Sequence, residues 1–345
     1  MKTSSPKQLH GHPARWWHAE EDGRLLCTLC PRYCRVGEGQ AGFCFIRQNR
    51  GGELVSVGYG RLTGFGLDPI EKKPLFHFHP GTPILSFGTA GCNLGCKFCQ
   101  NWDMSKARAE ERRGMEVTPE QVVELAQQER CPSIAYTYND PVIFGEFVVD
   151  VSRLARARGI KNVMVTAGYI TREAREEVFQ NIDAANVDLK AFSERFYRKL
   201  TLAELAPVLD TLQWLRNETD VWIEVTTLLI PGWNDSDDEI RREVGWILDN
   251  LGDDVPLHFT AFHPDYRMTD IPRTPRETLL RARSLAQEAG LKYPYVGNVL
   301  DDDGSTTYCP GCRRSVITRN WHSVTTNRLQ DNRCPHCRTE IAGRF

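Results

Sequence analysis

Cysteine carries most of the chemical information in this chain of 345 residues, which has 12 of them. All but Cys131 fall in three short-spaced sets. The central set is Cys92, Cys96 and Cys99, in Gly91-Cys-Asn-Leu-Gly-Cys-Lys-Phe-Cys-Gln-Asn-Trp102, with C-x3-C-x2-C spacing. Three thiolates can hold three irons of a four-iron cluster, for which four cysteines are usual. The missing fourth leaves one iron open to a ligand that is not protein, the logic that also separates catalytic from structural zinc. A zinc site of three cysteines and one other ligand is the plainer alternative. The N-terminal set is Cys27, Cys30, Cys34 and Cys44, spaced C-x2-C-x3-C-x9-C. Four thiolates without an open position suit a closed site, with zinc in first place and an auxiliary iron–sulfur cluster as its rival. The C-terminal set, Cys309-Pro-Gly-Cys312 and Cys334-Pro-His-Cys337, has the pattern of a zinc ribbon or rubredoxin-like knuckle pair. Residues two to four apart make poor disulfide partners and good chelators. The usage therefore points to a reducing cytoplasm and metal sites.

Regular elements must position these residues. Ile84–Thr89 is a short apolar run ending in Ala-Gly, a strand that delivers the central triplet in the loop behind it. Further strands are expected at Ser133–Thr137, Lys161–Thr166, Val187–Lys190, Val221–Ile230, Leu257–Phe262 and Tyr293–Val296. Between them lie helices with capping boxes at Thr118-Pro-Glu-Gln121, Ser236-x-x-Glu239 and Thr274-Pro-Arg-Glu277, and with Thr171 as a further cap. Six strand–helix units argue a parallel sheet with helices outside. Eight would close a barrel of about 250 residues, so an α/β fold with an open, partial (βα)6 TIM-like barrel is expected. A flat doubly wound sheet is the alternative, but no G-x-G-x-x-G follows the first strand. The chain divides into a Cys-rich segment at 1–83, the barrel at 84–300 and a ribbon-like module at 301–345.

Alternation places Asp188 and Lys190 on one face of their strand, inside the barrel, where charges need partners. Glu224 and Thr226 alternate in the same way on the next strand. His77 and His79 share a face and read as structural.

With Phe98 in the aromatic place, the triplet resembles the C-x3-C-x-aromatic-C signature of the radical S-adenosylmethionine (SAM) superfamily, over about residues 84–297. That resemblance implies a 4Fe-4S cluster at Cys92, Cys96 and Cys99, with SAM bound at the open iron through its amino and carboxylate groups. Reductive cleavage then gives methionine and a 5′-deoxyadenosyl radical, which abstracts a hydrogen atom. Thr137-Tyr138-Asn139-Asp140-Pro141 stands where the superfamily has a Gly-Gly-Glu-Pro type motif. Tyr138 and Asn139 replace the glycines and Asp140 replaces Glu. Asp188-Leu189-Lys190 is similar to the Asp-x-Lys of glycyl-radical-enzyme activases, and His258 matches an activase histidine near SAM in position. The implied SAM contacts are thus Phe98, Tyr138, Asn139, Asp140, Asp188, Leu189, Lys190 and His258. His258 and His263 are the candidates for substrate or proton contact.

Across its whole length, from Cys27-Thr-Leu-Cys-Pro-Arg-Tyr-Cys34 through Phe262-His-Pro264 to the CPxC pair, the chain resembles AmmeMemoRadiSam-system radical SAM enzymes, relatives of pyruvate formate-lyase activating enzyme. The resemblance implies a flavodoxin- or ferredoxin-type reductant, work beside Memo-class and AMMECR-type proteins, and activase-like action on a protein or peptide. A small molecule or RNA is the alternative substrate. A non-catalytic metal-binding or electron-transfer module is the alternative function, against which the open three-cysteine site speaks.

Composition sets the remaining bounds. Lys+Arg number 43 against 45 Asp+Glu, a net charge of −2, which gives no support to a nucleic-acid-coating protein. No run of about 20 apolar residues exists to span a membrane. The first residues carry no apolar core of a secretory signal.

Overall fold

The computed structural model describes residues 11–111 and 114–345. The first ten residues, on which the reading of a missing secretory signal partly rests, lie outside the described residues. The main sheet starts earlier than residue 84. Gly64–Pro69 (β1) runs antiparallel to Pro83–Gly88 (β2), with Phe65 opposite Phe87 and Leu67 opposite Leu85. Gly64, Gly66 and Pro69 give this segment little strand signal. The two glycines have a packing reason: a Cβ at Gly66 would lie 2.9 Å from the Tyr138 hydroxyl, and one at Gly64 would lie 3.0 Å from its ring.

From β2 the chain alternates. The elements are α1 (Pro119–Gln128), β3 (Ser133–Tyr136), α2 (Gly145–Ala157), β4 (Lys161–Thr166), α3 (Arg172–Phe179) and β5 (Ala184–Asp188), then α4 (Ala206–Glu218), β6 (Trp222–Leu229), α5 (Asp237–Asn250), β7 (Leu257–Ala261), α6 (Arg276–Glu288) and β8 (Pro294–Gly297). The sheet order is β8-β7-β6-β5-β4-β3-β2-β1, parallel throughout except for β1. Among the described residues β1 and β8 do not pair, so six strand–helix units form an open, partial barrel. Its strands are buried on both faces, as helices outside and a filled interior require.

The helix starts are partly as expected. Thr118 and Gln121 form the full reciprocal capping box of α1. Ser236 caps α5, but the Glu239 carboxylate turns away to accept from the Phe192 N–H at 2.9 Å. At α6 the expected box is absent. Thr274 instead accepts from the Phe262 N–H at 2.9 Å and donates to the Leu229 carbonyl at 2.6 Å, stitching β6 to β7. Thr171 stands at the N-cap of α3, yet its hydroxyl donates to the Thr28 carbonyl at 2.6 Å. Hydroxyls beside strand ends are claimed by neighbouring loops with buried carbonyls to satisfy.

Both outer segments are anchored by buried arginines. Arg47 donates to both Glu146 oxygens on α2, at 2.8 and 3.1 Å, tying the N-terminal strands to the barrel. The C-terminal strands are β9 (Thr307–Tyr308), β10 (Ser315–Asn320) and β11 (Ser323–Asn327), an antiparallel sheet. From β10, Arg319 donates to the carbonyls of Phe76 at 2.7 Å and Ser305 at 3.1 Å. The chain's end is stitched alongside: His79 N–H donates to the Arg344 carbonyl and Arg344 N–H to the His77 carbonyl, each at 2.7 Å. His77 is structural, its ring between the Ala342 carbonyl and the Tyr295 hydroxyl, each at 2.6 Å, with burial holding its pKa down at about 4. Among the described residues no helix is long and apolar enough to cross a membrane.

Candidate active site at the three-cysteine loop

The loop behind β2 opens at the C-terminal mouth of the strands, where parallel barrels carry their chemistry. Its backbone is pinned on several sides. Gly91 N–H donates to the Met104 carbonyl at 3.1 Å, Gly95 N–H to Thr201 at 2.8 Å and Lys97 N–H to Leu200 at 2.8 Å. Gly91 has φ +86°, and a Cβ there would lie 2.0 Å from the Cys44 carbonyl oxygen, so only glycine fits. Cys92, Cys96 and Cys99 all line one cavity of about 460 Å³. Cys92 Sγ accepts from the Leu94 N–H at 3.4 Å, and the Cys99 thiol meets the Ser105 hydroxyl at 3.1 Å. Burial pushes Cys96 up to about 12 against the pull of Lys190; a bound metal would displace that proton. Three soft thiolates lining one cavity, not drawn together into a single-ion group, fit a cluster ligated at three corners.

Six of the sequence-read contacts join them. Asp140 lines the cavity: Thr166 donates to its Oδ1 at 2.7 Å, while buried Oδ2 has no partner among the described residues. Burial pushes this carboxyl up to about 6. Asn139 also lines the cavity, but its amide is spent on Gly91 O at 2.8 Å, Thr89 Oγ1 at 3.2 Å and the Thr89 N–H at 3.2 Å. Tyr138 adopts φ +72°, the left-handed conformation its glycine counterpart would take freely. Its hydroxyl donates to Asp68 at 3.1 Å and its carbonyl accepts from Asn101. Asp188 and Lys190 line the cavity as an ion pair. The strand ends at Asp188, two residues before the expected end, because Leu189 N–H turns back onto the Val187 carbonyl at 3.1 Å. Burial would lower the Lys190 ammonium, but Asp188 and Cys96 outweigh it and hold it above its ordinary value. His258 lines the cavity too, its Nε2 2.7 Å from Glu224 Oε2. Glu224 further accepts from the Phe76 and His77 N–H groups at 2.9 and 2.8 Å. Burial alone would raise that carboxyl; His258 and these donors keep it below its ordinary value.

Three expected residues lie elsewhere. Phe98 is buried behind the loop against Phe196, ring centres 5.7 Å apart. The Leu189 side chain is buried in the apolar core and does not line the cavity. His263 is exposed beyond the end of β7, with its ring near the Pro264 carbonyl.

The cavity also recruits groups that sequence reasoning passed over. Lys72 and Lys73 line it and share the Asp68 carboxylate at 2.7 and 2.6 Å. Burial works against that carboxylate, but the two ammonium groups lower it to about 2. The available signal was Asp68 four and five residues before a lysine doublet. Trp321 and His322 reach the cavity from the turn between β10 and β11, a location no local pattern marks.

The outer cysteine sets differ in geometry. The C-terminal sulfurs all lie within 4.8 Å of one another, Cys309 to Cys337 at 3.5 Å and Cys312 to Cys334 at 3.7 Å. Cys27, Cys30, Cys34 and Cys44 form no such group, although all four line one small cavity.

A parallel partial barrel with three cysteines behind its first parallel strand defines an enzyme class that holds an iron–sulfur cluster at its mouth, and the chain belongs to the radical SAM superfamily. The superfamily's model matches residues 87–244. The chain is 43% identical over 330 residues to the uncharacterized protein MJ0808 of Methanocaldococcus jannaschii, covering 95% of this chain and 98% of that one. It is 23% identical to the pyruvate formate-lyase 1-activating enzyme of Escherichia coli over 62% of this chain and 92% of that one. A radical SAM methyltransferase from Sphaerobacter thermophilus shares the fold, with a TM-score of 0.51, 16% identity and coverage of 64% of this chain and 67% of that one.

Proposed function

We propose that the cavity seats SAM against the three-cysteine loop and that the enzyme abstracts a hydrogen atom from a protein or peptide, in the manner of an activase. One observation carries the reading: the three thiols line a single cavity with Asp140, Asp188, Lys190 and His258. A four-iron cluster held by Cys92, Cys96 and Cys99 would supply the electron for reductive SAM cleavage. The chain's own groups bind and orient. The unshared Asp140 Oδ2 offers an acceptor to an ammonium, and Lys190, kept charged by Asp188, offers a donor to an anionic group. Glu224 fixes the ring of His258.

The mouth supports a macromolecular substrate. Trp102, Leu300 and Trp321 are exposed at 43%, 71% and 45%. Each lies on or next to a residue that lines the cavity, and exposed apolar groups around a cleft mark binding surfaces. The tight C-terminal set suits zinc. A flavodoxin- or ferredoxin-type carrier is the proposed reductant, and twelve free thiols suit a reducing cytoplasm. Resemblance to AmmeMemoRadiSam-system enzymes makes Memo-class and AMMECR-type proteins the first partners to test.

The deciding experiment is anaerobic reconstitution with iron and sulfide, then SAM and dithionite. Release of 5′-deoxyadenosine and methionine is expected, with deuterium entering 5′-deoxyadenosine from a labelled protein substrate. Cluster-loaded protein that binds SAM and never cleaves it refutes the reading; deuterium arriving only from a small molecule or RNA refutes the protein substrate.

A further inference from the structure

The N-terminal cysteines are not gathered as closely as the C-terminal set. Tetrahedral zinc with Zn–S near 2.3 Å draws its sulfurs to within about 4 Å of one another. The C-terminal set is gathered in this way. Cys27, Cys30, Cys34 and Cys44 form no single-ion group, and in this they behave like Cys92, Cys96 and Cys99. They stand instead around one small cavity. A cluster binds each thiolate through a different iron, so its ligands surround a space. Arg47, buried beside Cys27 and Cys44, supplies a cation against the charge of the thiolates.

This set also touches the active-site loop. Arg32, between Cys30 and Cys34, donates from Nε to the carbonyl of Asn93. Asn93 follows Cys92 directly and lines the N-terminal cavity. On the other side, the Cys44 carbonyl presses against Gly91. Outward, Tyr33 and Phe43, each next to a cysteine of the set, are exposed at 51% and 37%. Four protein thiolates leave no iron open for a substrate, which leaves electron storage and transfer as the available chemistry.

We propose that Cys27, Cys30, Cys34 and Cys44 hold an auxiliary four-iron cluster that relays electrons from a one-electron carrier at the surface to the cluster of the central triplet. In each event the auxiliary cluster gains one electron from a flavodoxin- or ferredoxin-type carrier and loses it inward; no atom moves and its net change is zero. The site stands on its own geometry, whereas the relay rests on the radical SAM reading of the triplet.

The site is tested in the full chain with Cys92→Ala, Cys96→Ala and Cys99→Ala together. After anaerobic reconstitution this variant is expected to keep about four irons and about one zinc per chain, with a reduced-state EPR signal that SAM does not alter. Iron near zero with about two zincs overturns the site. The relay is tested in the wild-type chain, fully reduced and then freed of reductant. Adding SAM is expected to give about two 5′-deoxyadenosine per chain, one electron from each cluster, with loss of both EPR signals. A yield of about one, with the auxiliary signal persisting, overturns the relay. No 5′-deoxyadenosine at all refutes the radical SAM reading and the relay, and leaves the iron count of the variant to decide the site.

Discussion

Thr166 donates its hydroxyl to Asp140 Oδ1 at 2.7 Å and thereby aims a carboxylate whose other oxygen, Oδ2, has no partner among the described residues. A buried acceptor without a partner costs free energy, which a ligand's donor recovers. Asp140→Asn is therefore expected to weaken SAM binding by roughly tenfold to a hundredfold, with iron content unchanged. Titration of SAM into anaerobic, reconstituted variant measures this. Wild-type affinity would reduce Asp140 to the cap of the short helical turn at Pro141–Phe144.

Lys190 sits between Asp188 and the cysteines, and it is the cation that these groups hold protonated. Lys190→Ala is expected to lower SAM affinity on the order of a hundredfold while the cluster loads normally. Asp188→Asn should have a smaller effect in the same direction, because the ammonium remains but loses its anchor. Equal SAM affinity in Lys190→Ala and wild type would make the pair purely structural.

What the sequence made legible was whatever depends on local spacing. The triplet, the CPxC pair and the alternation of strands and helices are each written within a few residues, and each stands where it was read. What stayed hidden depends on contacts between distant segments. The Gly64–Pro69 strand is explained only by Tyr138 packing over its glycines. Thr274 and Thr171 match helix-cap patterns, yet carbonyls on other elements claim their hydroxyls. Strand alternation predicted that Asp188 and Lys190 would share a face; they do meet, but through a turn, with Leu189 buried in the apolar core. No pattern near residue 321 announces that Trp321 and His322 reach the cavity.

Glu243 on α5 gives a pH prediction. It is buried, accepts from the Thr227 hydroxyl, and faces Glu239 and Tyr197. Burial first, and Glu239 with it, push its carboxyl up to about 8, against the opposing hydrogen bond from Thr227. Between the ordinary carboxylate range and that value the folded chain binds a proton that the unfolded chain releases. Stability from this group therefore falls as pH rises from about 5 to 8, by roughly 1.4 kcal/mol per pH unit. Glu243→Gln keeps the neutral shape and removes the titration. The expected result is a urea midpoint above that of wild type at pH 8, with the gap closing at pH 5. A constant gap across that range rules out Glu243 as the titrating group.

Trp321 and His322 of the C-terminal segment line the active-site cavity, and a buried arginine helps to hold that segment there. Arg319 is fully buried, lies 3.5 Å from Glu71, donates to Phe76 and Ser305, and packs 4.1 Å from the centre of the Phe76 ring. Burial lowers the Arg319 guanidinium and raises the Glu71 carboxyl, so each charge is tolerated because of the other and of the carbonyls around them. Removing one partner strands the other, a cost of about 3–5 kcal/mol. Arg319→Met is expected to show that loss, and Arg319→Met with Glu71→Gln to recover a large part of it. The loosened segment should weaken binding of a macromolecular substrate through Trp321 and His322 while SAM cleavage without substrate persists. Cys309→Ala with Cys312→Ala should do the same by a different route: about one zinc is lost, the cluster's visible spectrum stays, and proteolysis opens the chain after β9. If substrate-dependent deuterium transfer survives in both variants at wild-type rates, the C-terminal strands do not shape the substrate site and their contact with the cavity is architectural.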